Sequence, residues 1–144
     1  MSKFNIQKSK GFTFLEIMVV VAIIGILAYF IAPNLVGSMD DARITKAKLE
    51  IRALESNLTM YRVDNGIYPS TEQGLQALLT KPEIEPLPMN WRRKYMDKLP
   101  NDPWGRSYQY RNPGQYSEID VFSYGADGLN DGDESKYIGN WDTN

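Results

Sequence analysis

Gly11-Phe12-Thr13-Phe14-Leu15-Glu16-Ile17-Met18-Val19-Val20-Val21-Ala22-Ile23-Ile24-Gly25-Ile26-Leu27-Ala28-Tyr29-Phe30-Ile31-Ala32-Pro33 decides how this chain is built. From Phe12 to Ala32 the residues are nearly all apolar, and about 21 of them at ~1.5 Å each make a helix of roughly 30 Å, the thickness of one bilayer. Glu16 interrupts that run, and a carboxylate in hydrocarbon costs up to a few kcal/mol. Lys3, Lys8 and Lys10 stand just before it. A secretory signal peptide is cut after its apolar stretch. Here the small residue suited to cleavage, Gly11, comes first, so a cut there discards residues 1–11 and keeps the apolar helix. The freed α-amino group of Phe12 then comes within reach of Glu16 on a neighbouring subunit. A buried acid that is costly alone is tolerable when paired. A plain single-pass anchor, with Glu16 at the headgroups, is the other reading these residues allow.

The 144 residues leave room for one anchor, one long helix and one small globular domain of about 80 residues. A domain that small is often stapled, yet there is no cysteine to staple it. There is no histidine either, so the usual general bases and thiol nucleophiles are missing and the composition points away from an enzyme. With 16 basic and 18 acidic residues the net charge is −2, which does not suggest a nucleic-acid partner. The lysines ahead of the span place the leader in the cytoplasm and the rest of the chain outside.

Pro33 removes a helix hydrogen bond to Tyr29 and crowds its carbonyl, so a kink or local melting is expected across Gly25–Pro33. Beyond it Ile44, Ala47, Ile51, Leu54, Leu58 and Tyr61 recur at helical spacing and form an apolar stripe for packing on the chain's own domain. Asp40, Lys46, Glu50 and Glu55 lie off the stripe, either as a solvated face or as ion pairs between subunits. Gly66 is placed to end the helix as a left-handed cap. Ser70-Thr-Glu-Gln73 is a capping box that opens a short helix through Leu79. Ser107–Arg111 and Ile119–Tyr124 alternate around Asn112-Pro-Gly114 and read as an antiparallel pair in a sheet of two to four strands laid across the helix. Trp104 and Trp141 read as core anchors. Gly125-Ala-Asp127-Gly-Leu-Asn130-Asp131-Gly-Asp133-Glu134-Ser135 sets carboxylates among glycines, as a hard cation site needs. It does not follow the EF-hand spacing, and by spacing alone a solvated acidic turn fits as well as a cation site.

Lys10-Gly-Phe-Thr-Phe-Leu-Glu16 ahead of the apolar run resembles the class III signal of type IV pilins and pseudopilins. Asn65-Gly-Ile-Tyr-Pro-Ser-Thr-Glu-Gln-Gly-Leu75, Leu99-Pro-Asn-Asp-Pro-Trp-Gly105, Asp120-Val-Phe-Ser-Tyr-Gly-Ala-Asp-Gly128 and Ile138-Gly-Asn-Trp141 narrow the resemblance to the major pseudopilins of type II secretion systems. The resemblance implies an α+β, type IV pilin-like fold, with a leader (1–11) removed by a prepilin peptidase, a transmembrane and assembly helix (12–33) and a periplasmic domain (34–144). It implies cleavage between Gly11 and Phe12, N-methylation of Phe12, and a role for Glu16 and Phe12 in assembly. The partners it implies are further copies of the chain in a pseudopilus filament, minor pseudopilins, the inner-membrane secretion platform and the membrane itself. It also implies Ca²⁺ in the C-terminal loop, held by Asp127 and the backbone oxygen of Tyr124. The family's further carboxylates fall where this chain has Lys136 and Tyr137, so Asp131 and Asp133 are assigned in their place, with Glu134 in reserve. A type IV pilin for adhesion or motility is the alternative, and the missing cysteine pair and the acidic loop stand against it.

Overall fold

A computed structural model describes residues 11–144 apart from Leu129, Asp131 and the last two, and the side chains of residues 32–36 are outside the description as well. The leader before Gly11 and the expected ligand Asp131 therefore lie outside the described residues. The chain divides into two units, one ending at Met39 and one running from Asp40 to Asn144. One helix, α1 (Phe14–Asn65), contributes to both.

In the first unit α1 opens with a reciprocal cap. The Glu16 carboxylate accepts hydrogen bonds from the Thr13 amide (3.0 Å) and hydroxyl (3.2 Å), and the Glu16 amide donates to the Thr13 hydroxyl (3.2 Å). Thr13-x-x-Glu16 is thus a capping box that satisfies the first free amides of the helix. From Phe14 to Ile31 the helix is long and apolar enough to cross a membrane, and none of this stretch is buried. Helical backbone continues through Gly25 and Pro33, so the local melting expected there is absent from the single chain.

In the second unit the stripe on α1 becomes the core. Ala47, Ile51, Leu54, Leu58 and Tyr61 are fully buried, whereas Ile44 remains 37% exposed, so the packed part of the helix begins one turn later than the stripe suggests. Each buried aliphatic side chain there contributes about 1.5–3 kcal/mol. Against them lie strands β1 (Gln109–Arg111) and β2 (Asp120–Ser123), whose Tyr110, Val121 and neighbours Tyr108 and Ile119 belong to the same cluster. The two strands pair antiparallel, as the alternation predicts, in a register that sets Tyr110 opposite Val121. A third strand, β3 (Ile138–Gly139), extends the sheet in the order β1-β2-β3. Its two residues carry no legible period. All four residues of β2 are buried, because Phe122 on the face away from Val121 is stacked on Tyr137 and touches Trp141.

The ends of the elements are fixed by side chains. α1 stops at Asn65, and Gly66 follows at φ 78° with its amide bonded to the Arg62 carbonyl, the cap the sequence foretells. Asn65 is buried. It donates to the Tyr61 carbonyl and the Tyr95 hydroxyl and accepts from the Asn90 amide, which pins the proline-rich loop to the helix end. The Ser70–Gln73 capping box forms in both directions, but the helix it opens is a single 3-10 turn, Leu75–Leu78, because Gly74 sits at φ 60°. Gln73 also donates to the carbonyls of Ile84 and Pro86 (2.7 and 2.8 Å). Gln73→Ala leaves two part-buried carbonyls and one amide without this partner. We expect it to lower stability by about 1–3 kcal/mol, measured as a thermal midpoint by tryptophan fluorescence.

Trp104 and Trp141 are only half-buried, a correction to their reading as core anchors. Trp104 lines a surface cleft with Ile44, Ala126, Asp127 and Lys136. Trp141 lies against Gly139, where any Cβ would strike its ring, and covers the outer face of β2. The core itself takes its aromatic bulk from tyrosines 61, 108 and 110.

Candidate functional site: the assembly terminus and the C-terminal loop

Gly11, Phe12 and Thr13 precede the helix in non-helical backbone, and Phe12 is 82% exposed. Glu16 follows Phe12 by four residues and lies in the first turn of α1, while Phe12 itself stands in the non-helical backbone ahead of that turn. The four off-stripe charges Asp40, Lys46, Glu50 and Glu55 are bonded within the chain. Asp40 pairs with Arg43 (3.3 Å) and Lys46 with Glu50 (3.8 Å). Glu50 also accepts from the Tyr108 hydroxyl (2.6 Å), and burial first, then this bond, raises the Tyr108 pKa. Glu55 accepts from Asn140 (3.1 Å).

Asp102 and Asp120 organise the chain around the sheet. Asp102, in the Asn-Asp-Pro-Trp-Gly turn, accepts from the amides of Trp104 and Arg106 and from the Ser123 hydroxyl. Asp120 is fully buried and accepts from the amides of Gln115, Tyr116 and Ser117 and from the Arg111 guanidinium. Neither carboxylate stands out in the sequence, because its donors are backbone groups that only the fold brings round.

Of the metal ligands expected in the C-terminal loop, Asp127, Asp133 and the reserve Glu134 are already engaged with cationic side chains. The Lys136 ammonium lies 3.9 Å from Asp127 and 3.5 Å from Asp133. The Ser135 hydroxyl and then Lys136 hold the Asp133 carboxyl below the usual range. Glu134, the reserve ligand, is clasped by Arg111 at 2.9 and 3.3 Å, which with the Tyr116 hydroxyl lowers its pKa. Tyr137 is stacked on Phe122 at a 5.4 Å ring separation and cannot supply a carboxylate. The described residues hold no cluster of three acids or other ligating side chains. A hard divalent cation wants six to eight oxygens at about 2.3–2.6 Å. Among the described residues this donor set does not fit it.

A membrane-length apolar helix, continued by an amphipathic stretch that packs on a small antiparallel sheet, defines the class of type IV pilin-like subunits. Residues 6–28 match the prokaryotic N-terminal methylation motif, and residues 34–141 match the family described as type II secretion system (T2SS), protein G. The chain belongs to that protein G family. It is similar to proteins named type II secretion system core protein G from Dickeya chrysanthemi (52% identity, covering 94% of this chain and 88% of the relative) and Vibrio cholerae (52%, covering 95% and 94%). Among solved structures it is similar to the major pseudopilin from the type 2 secretion system of enterohaemorrhagic Escherichia coli, with 53% identity, a TM-score of 0.69, and 76% of this chain and 91% of that one covered.

Proposed function

We propose that this chain is the structural subunit that polymerises into the periplasmic pseudopilus of a type II secretion system and so drives export of folded proteins across the outer membrane. It acts by assembly rather than by catalysis. The observation that carries the reading is the wholly exposed apolar half of α1, Phe14–Ile31, on the same helix whose second half is buried in a folded unit. Such a surface has two states that suit it: lipid before assembly, and the matching helices of other copies afterwards.

In this reading the subunit waits in the inner membrane as a single-pass protein with residues 34–144 in the periplasm. A prepilin peptidase cuts after Gly11 and methylates Phe12. The Glu16 carboxylate of one copy then pairs with the Phe12 amine of the next. Minor pseudopilins and the inner-membrane platform complete the machine. Deletion of the gene tests it. Folded exoproteins should accumulate in the periplasm, and the full chain should restore their export. Intact mass of the extracted subunit should lack residues 1–11 and carry one added methyl group. Normal export together with loss of surface pili would instead assign the chain to a type IV pilus.

A further inference from the structure

Besides Glu134, which Arg111 holds, the described oxygens at the two ends of the C-terminal loop meet two further cations that belong to the chain. On one side the Arg106 guanidinium donates to the carbonyls of Gly125 and Ala126. It lies so close beneath Gly128 that a Cβ there would collide with it. Arg106 is itself anchored, since its amide bonds Asp102 and its Nε lies 4.0 Å from the same carboxylate. On the other side the Lys136 ammonium stands between Asp127 and Asp133. The backbone draws the two ends of the loop together as well. Gly125, at φ 73°, approaches the Lys136 carbonyl so closely that a Cβ would sit 2.8 Å from it.

These contacts divide the loop chemically. The carbonyls of Gly125 and Ala126 point to a planar, permanently charged fork, and the carboxylates of Asp127 and Asp133 to a compact ammonium with three donors. A calcium ion at this loop would have to displace one or both before collecting its own shell. We infer that Arg106 and Lys136 close this loop in the place where the family resemblance puts a calcium ion, so that the chain folds independently of calcium. By the resemblance Lys136 falls where a carboxylate ligand is expected, and a base there pairs with Asp127 and Asp133 in the space a divalent cation would take. The inference concerns the folding of one chain and is read on purified protein, so it stands or falls apart from the role in secretion.

The test is a thermal melt of the full-length chain in detergent, followed by tryptophan fluorescence, in millimolar calcium chloride and in excess chelator. The two midpoints should agree within about 1 °C, and elemental analysis should find well under one calcium per chain. A ligand at one hundred times its Kd raises the midpoint of a unit this size by on the order of 10 °C. A calcium-dependent rise of that kind in the unaltered chain, reversed by chelator, overturns the inference. Lys136→Met should lower the midpoint in both solutions and Lys136→Arg should restore most of it, whereas a Lys136→Met chain that melts like the parent also overturns it. If Lys136→Met fails to fold, the calcium comparison on the unaltered chain decides alone.

Discussion

Asp120→Ala should remove much of the stability of the folded unit. The carboxylate is completely buried, yet it accepts bonds from three consecutive backbone amides and from Arg111 at 3.0 Å. Truncating it strands those donors where water does not readily replace the lost partner, and it takes from the Arg111 guanidinium one of the two carboxylates, Asp120 and Glu134, that it bonds. Breaking a buried charged pair by removing one member costs about 3–5 kcal/mol, against a total of roughly 5–15 kcal/mol for a domain. The midpoint of a tryptophan-fluorescence melt should fall by more than ~10 °C. Asp120→Asn keeps the shape and one acceptor and should lose less. The adjoining turn is built to the same tolerance, since a Cβ at Gly114 would stand 2.7 Å from the Asp120 carboxylate, so Gly114→Ala should destabilise the same contact. A midpoint within 2 °C of the parent for Asp120→Ala would show that the amide cradle contributes nothing that solvent does not supply.

What the sequence reveals here depends on the range of the interaction. The stripe from Ala47 to Tyr61, the Gly66 cap, the Ser70–Gln73 box and the antiparallel pairing of the segments around Asn112-Pro-Gly114 are encoded in local periodicity, capping and turn chemistry, and each forms where those signals place it. Ile44 continues the periodicity but has nothing to pack on, because hydrophobic spacing does not say where the partner surface begins. Trp104 and Trp141 mislead for a related reason: size favours burial, but the depth available beside a three-stranded sheet is already filled by tyrosines. The roles of Asp102 and Asp120 rest on backbone donors gathered by turns, and an aspartate next to a turn looks the same whether buried or solvated. Lys136 is the sharpest case. In the sequence it is a departure from the ligand pattern, and only the fold sets its ammonium between Asp127 and Asp133.

Glu16→Leu should leave the subunit in the membrane and abolish export, and Glu16→Gln separates the two things the carboxylate can do. In the single chain Glu16 caps its own helix through Thr13. Losing such a cap costs about 1 kcal/mol, which a helix of 52 residues withstands, and replacing an acid by leucine makes the span more apolar and its insertion easier. Anchoring therefore survives. Assembly is different: in the proposed filament the Phe12 amine freed by cleavage would be a cation in a water-poor bundle and would need an anion from its neighbour. The step exchanges neutral donors on Glu16 for a charged one, and charge-assisted bonds are roughly twice as strong. A loss of about 1.4 kcal/mol at each subunit contact weakens every addition tenfold, and the deficit compounds along a filament. Glu16→Gln retains an oxygen that can accept from the Thr13 amide, so the cap persists while the charge is gone. Export should fail with glutamine as it does with leucine, measured as exoprotein left in the periplasm, with the subunit recovered intact from the membrane fraction. Normal export by the glutamine variant would reduce Glu16 to a helix cap and leave the Phe12 amine without the partner assigned to it.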